Sequence, residues 1–422
     1  MTRALFVLSV YFFSAALYAQ APESSFDVHE WGTFTSMQGS QGLTLEGLQH
    51  EEERLPDFVY SRTEVRECPL RDAGYKGLEV PVTHVTQKME TPVIYFHSKT
   101  KRKLRVRVDF IGGLLTQWYP VSNLLGPPEA SIDKGPLDLK TVKSSFLEWD
   151  IDIIPARSKK LPKLPIVPAD DIWNLARQVD ACYVQTHPRL GKGRLGPVEA
   201  ERYLFYRGLG TFALPFSIEM KTPQSQVFKN TTPLPISFAV ALEVRGDTGR
   251  IVVARGIEGG KNFDFSFADS KPMKIDQLTR RIEKELMDAI ISSGMTTKEA
   301  KAMVKTWARS WFKTEGNRVL YLVPRELIDK ILPLQISPKP ANIERVLVGR
   351  LEYITKARED RAAESLLHYN SANDSEKAKA RKYLTSLDRF LEPHVRCVLA
   401  SNKNAVVKEN GATVLALLKE EK

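Results

Sequence analysis

The chain has 422 residues, 42% of them hydrophobic, with 61 Lys and Arg against 51 Asp and Glu for a formal net charge of +10. That length can bury a substantial core and accommodate more than one domain. Three cysteines are too few for a disulfide framework, and no later segment approaches the roughly 18 uninterrupted apolar residues of a membrane-spanning helix.

Residues 1–19 read as an export signal. Arg3 supplies the positive charge, Ala4 to Leu17 the apolar core, and Ala19 and Ala21 the small residues near a cleavage site. Cleavage after Ala19 leaves Gln20 at the new end, and no cysteine follows the apolar run to take a lipid. The mature chain is expected to be soluble and either secreted or periplasmic. In an oxidising compartment Cys68, Cys182 and Cys397 allow one internal disulfide. Spacing does not choose the pair; loop-like settings favour Cys68 with Cys182.

The stretch VHEWGTFTS, Val28 to Ser36, follows the signal closely and reads as the first strand. On a strand, His29, Trp31, Thr33 and Thr35 share one face, while Val28, Glu30 and Phe34 share the other. The stretch fails the H-E-x-x-H pattern of a zinc protease helix, because Thr33 stands at the second histidine position. Next comes LQHEEERLPDF, with His50 beside Glu51, Glu52 and Glu53. A run of this kind is usually a solvated turn. It becomes a site only if His29, or Glu90 and His97 of KMETPVIYFH, approaches it in space. Glu90 and His97 bracket a further strand, and Pro92 points to an edge position.

KTKRKLRVRV is the densest basic stretch. Leu104, Val106, Val108 and Phe110 alternate inward, while Lys101, Arg102, Lys103, Arg105 and Arg107 offer cations to phosphate or carboxylate groups. Lysines at a strand edge also discourage aggregation, which is the structural alternative. GKGRLG, Gly191 to Gly196, matches a dinucleotide-binding pattern but lacks the preceding parallel strand. YLFYRGLGTF places Tyr206 and Arg207 where they could line a groove, or pack in a two-sided core strand. ISFAVALEV and IVVARGI form a predicted hairpin across RGDTGR.

Helices take over at Ile275, with an apolar stripe of Leu278, Ile282, Leu286 and Ile290 ending at Gly294. Thr296 opens a capping box with Glu299. NRVLYLVP and RVLVGRLEYI return to strand character, and the remainder is helical. The expected fold is α+β: an antiparallel β-sandwich-like region at 22–270, a helical insertion at 271–316, strands returning at 317–354, and a helical C-terminal region at 355–422.

VHEWGTFTS, KMETPVIYF, FYRGLG and RVLYLVP together resemble a group of exported bacterial proteins that carries no assigned activity. The resemblance implies export and an envelope setting, and it transfers no residue's role.

Two functions stay open, and the absence of a recognised catalytic spacing favours the first. The first is a cell-envelope protein that binds an anionic polysaccharide, another envelope component or a protein partner, through Lys101, Arg102, Lys103, Arg105 and Arg107, with Trp31, Tyr206 and Arg207 as further contacts. Export disfavours nucleic acid as the polyanion. The second is a hydrolase of envelope or extracellular polymer, with His29, Glu30, His50 and Glu52 as the catalytic constellation around a divalent metal. The sequence assigns no particular metal, cofactor or oligomeric state.

Overall fold

A computed structural model describes residues 25–50, 55–62, 82–127, 137–187, 196–222 and 224–420. Residues 1–19, read above as an export signal, lie outside the described residues, as do Glu52, Cys68 and most of GKGRLG. The protein is α+β, with sheet dominating the N-terminal part and helix the C-terminal part.

Among the described residues, ten strands form one large sheet, and six form a second sheet that packs on it through the Ser144–Ile154 strand. Alternating residues such as Val106, Val108, Leu147, Trp149 and Ile151 are buried, as a two-layer sheet requires. The sheet is not wholly antiparallel. Phe26–Gln38 lies between two neighbours, antiparallel to Gln87–Ser98 and parallel to Asn342–Tyr353.

Two helices, Ile275–Ser292 and Thr297–Phe312, run between strands of the large sheet and cover part of it. Leu278, Ile282, Leu286 and Ile290 are fully buried, each stabilising the packing by about 1.5–3 kcal/mol. Gly294 takes a φ of +102°, a left-handed turn that ends the first helix and that a side chain would strain. Gly316–Leu322 and Asn342–Tyr353 then lie in the large sheet, and the helices from Lys356 onward pack around their own small core of Ala362, Leu366, Leu384, Val395 and Val398.

Pro92 corrects one expectation. Its strand is interior, paired on both sides. The pairing skips across Trp31 and Thr33 on one side and Phe205 and Gly208 on the other, so Pro92 sits in a bulge where the ladder needs no amide donor. Thr91 adopts a φ of +51° there. Gly32 lies opposite, and a Cβ on it would stand 2.9 Å from the Pro92 Cα. Cys182 and Cys397 are buried thiols, and the expected Cys68–Cys182 pairing involves Cys68, which lies outside the described residues.

Candidate metal centre

His29 and Glu30 leave the first strand on opposite faces and meet different chemistry. Tyr95 stands opposite His29, and Asp27 opposite His97, in the antiparallel ladder. His29 and His97 are therefore diagonal neighbours on one face, with ring centroids 4.6 Å apart. Glu299 arrives from the first turn of the Thr297–Phe312 helix. Thr296 and Glu299 form the capping box: the Thr296 amide donates to Glu299 Oε2 at 2.8 Å, and the Glu299 amide donates to Thr296 Oγ1 at 3.3 Å.

The cap fixes the Glu299 carboxylate against both rings. His29 Nδ1 lies 2.9 Å from Oε2 and 3.1 Å from Oε1, and His97 Nε2 lies 2.9 Å from Oε1. One donor atom from each residue falls within 4.8 Å of the others. The Glu299 side chain is fully buried, whereas His29 and His97 keep 13% and 23% of their side chains exposed. The cluster thus faces solvent through its histidines.

Burial opposes charge on the Glu299 carboxyl, but hydrogen bonds from His29 and His97 outweigh it and hold the group at about 2. His29 shifts the other way. Burial lowers its pKa, yet the Glu299 hydrogen bond and the charges of Glu299, Glu344 and Asp27 raise it above the ordinary value.

Two imidazoles and one carboxylate match the donor set of zinc and related transition metals. Calcium requires six or more oxygens and does not suit it. Tetrahedral zinc with bonds of about 2.0–2.1 Å places its donors roughly 3.4 Å apart. The observed 2.9 Å separations are those of bridging hydrogen bonds, so a small outward movement of the rings accommodates an ion. The Thr296 amide supplies the outer-shell hydrogen bond that orients a ligating carboxylate.

Of the constellation expected from sequence, Glu52 lies outside the described residues, and His29, Glu30 and His50 do not converge. His50 joins Glu392 instead, with Nε2 to Oε2 at 2.8 Å, and it is absent from the His29 cluster. Glu30 is completely buried. Tyr206 donates its hydroxyl to Oε1 at 2.5 Å, and Arg345 donates Nε to Oε2 at 2.5 Å. Arg345 also donates to Asp329 and to the Leu332 carbonyl. Glu30 is therefore locked into a buried ion pair and cannot reach the His29 side of the strand.

The expected binding residues are also redistributed. Trp31 and Tyr206 are fully buried, so neither offers a ring to a ligand. Arg207 is buried, donates to Thr91 and lies near the Phe205 ring. Trp31 and Arg207 line a cavity of about 20 Å³ with Trp173, room for little more than a water.

On the basic strand, Lys101 pairs with Asp152 at 2.9 Å and Arg105 with Asp150 at 2.9 Å. Arg107 pairs with Asp109 at 2.8 Å and approaches Glu148 at 3.9 Å. Arg102 lies over the Phe26 ring, and Lys103 is exposed opposite Asp152 in the ladder. The signal for this neutralisation was present in SFLEWDIDII, whose acids repeat every second residue and so share the face of the basic strand.

No family model matches the chain, and no curated protein matches it. Among solved structures, the chain is similar to the Fcho1 mu homology domain of Danio rerio with bound Eps15 peptide, at 7% identity and a TM-score of 0.26, covering 79% of this chain and 98% of that one. It is also similar to the yeast delta-COP-I mu-homology domain complexed with a Dsl1 WxWxV peptide, at 6% identity and a TM-score of 0.26, covering 80% of this chain and 100% of that one. Nothing about this chain's site follows from either likeness.

Proposed function

We propose that the protein is an exported, zinc-class metallohydrolase of envelope or extracellular polymer, secreted or periplasmic, with His29, His97 and Glu299 as its metal ligands. The observation that carries this reading is the convergence of two imidazoles and one carboxylate at a partly exposed position. Catalytic zinc sites use three protein ligands and keep one position open. Bound there, the ion would supply Lewis acidity and a hydroxide near neutral pH. The chain's own residues contribute a fixed carboxylate, two partly exposed rings and an aspartate and a glutamate, Asp27 and Glu344, close enough to act on the charge of His29. The polymer-binding alternative rests on the basic strand, and the pairing of Lys101, Arg105 and Arg107 with acids leaves it the weaker reading.

Elemental analysis of the unsupplemented protein tests the proposal. About one zinc per chain is expected, lost in His97→Ala. Turnover of peptidoglycan or an acidic polysaccharide should stop with chelator and return with zinc. A chain that neither contains nor takes up a transition metal would sink the reading.

A further inference from the structure

A second site stands apart from the histidine cluster. A cavity of about 150 Å³ opens where the C-terminal helices meet the large sheet, a volume that accommodates one six-membered ring. Asn317 and Tyr353 line it from the sheet; Arg358, Arg361, Tyr383 and His394 line it from the helices. Arg358 is half-buried, Arg361 lies at the exposed rim, and among the described residues neither forms an ion pair. The Arg361 guanidinium stacks over the Tyr383 ring at 4.2 Å, an arrangement that leaves its in-plane N–H groups available.

The acids at this cavity do not satisfy those cations. Glu352 accepts hydrogen bonds from Arg318 and Arg350. Glu315 and Asp388 also line the cavity but form no ion pair with either arginine among the described residues.

His394 adds a specific requirement. Its Nδ1 lies 2.8 Å from the Phe390 carbonyl, which can only accept, so Nδ1 carries the proton. Burial and the Arg358 charge hold the ring at about 4, which keeps it neutral at pH 7. Nε2 is then a lone-pair acceptor, buried and without a hydrogen-bond partner among the described residues. A buried acceptor left unpaired is destabilising until a donor reaches it.

We propose that this cavity binds a small hydroxylated carboxylate, a sugar acid or related hydroxy acid. Its carboxylate is taken by Arg358 and Arg361, and one of its hydroxyls donates to His394 Nε2. Planar guanidinium groups suit a carboxylate, and the Nε2 acceptor selects a ligand that brings a donor. The site does not depend on the metal reading.

Titration calorimetry on the full chain at pH 7 tests it, with D-glucuronate, glucose and inorganic phosphate as probes. Saturable glucuronate binding is expected, with glucose at least about tenfold weaker because it lacks the carboxylate. Arg358→Gln should weaken glucuronate by about tenfold or more, and the rim variant Arg361→Gln by a few-fold. Arg361 is exposed, so its replacement leaves the fold intact, which a circular dichroism melt checks. Chelator-treated protein should bind glucuronate unchanged. No saturation by glucuronate, equal binding by both arginine variants, or phosphate binding tighter than glucuronate would each overturn the proposal.

Discussion

His29 and Glu30 are adjacent in the chain, yet the two faces of their strand could hardly differ more. Glu30 itself is sealed: Arg345 is buried beside it and Tyr206 donates to its other oxygen. Around His29 the carboxylate is buried while the bases reach solvent. A buried ion pair resists change, because removing one partner strands the other. A half-open cluster of titratable donors can exchange protons for a metal ion at low structural cost. Charge alone does not mark a functional site; access does.

Breaking the sealed side should have the largest effect. Arg345→Leu leaves Glu30 buried and unpaired, and urea unfolding should show a loss of about 3–5 kcal/mol. Metal content per folded chain should not change, since Arg345 lies on the other face. A loss under about 1 kcal/mol would mean the two faces are not as different as the geometry makes them.

Glu299→Gln strikes the open side. It should abolish metal uptake and cost the metal-free protein about 1–3 kcal/mol, because the cap and two hydrogen bonds lose their charge. Retained stoichiometric metal would remove Glu299 from the ligand set. The acid limb of stability follows from the same group. Glu299, Glu90 and Glu392 are all held at about 2, below their ordinary value of 4.5. Their contribution is present above pH 4.5 and should disappear as the pH falls from there toward 2 in an acid titration followed by circular dichroism.

His29 separates metal-free from metal-loaded protein at the other end of the scale. Its raised pKa gives metal-free protein a contribution that is complete below pH 6.5 and lost as the pH climbs through the raised value. Metal affinity runs the opposite way, since a ligating imidazole must shed its proton. Melting temperatures with and without chelator should therefore diverge as the pH rises. Parallel curves would argue that no ion competes for His29.

The smallest effect belongs to the basic strand. Arg105→Ala should leave the urea-unfolding midpoint almost unchanged, because an exposed ion pair contributes little to stability. Replacing Lys101, Arg102 and Lys103 should change retention on an anionic matrix little. Steep loss of salt-sensitive retention in that triple variant would restore polymer binding to these residues.

Much of the fold class was legible because period-two burial is written directly in stretches such as Ile236 to Val244 and Leu104 to Phe110. The site was legible only in halves. His29 stood out, and Glu299 was recognised, but as a helix cap, which is its local role. What joins them is a contact 270 residues apart in sequence. Within its own segment His97 is matched only by Glu90 at the far end of the strand, whereas its true neighbour, His29, lies across the ladder. Glu90 instead binds Arg389, 299 residues further on. Strand register and helix docking are tertiary facts, and spacing within one segment cannot supply them.

The parallel pairing of Phe26–Gln38 with Asn342–Tyr353 also dictates when the molecule can become itself. Asp27 meets Asn342 across 315 residues, so the central strand of the large sheet has one side unzipped until most of the polypeptide exists. Such distant closure makes for slow acquisition of structure. It also leaves an unguarded strand edge until Asn342–Tyr353 arrives.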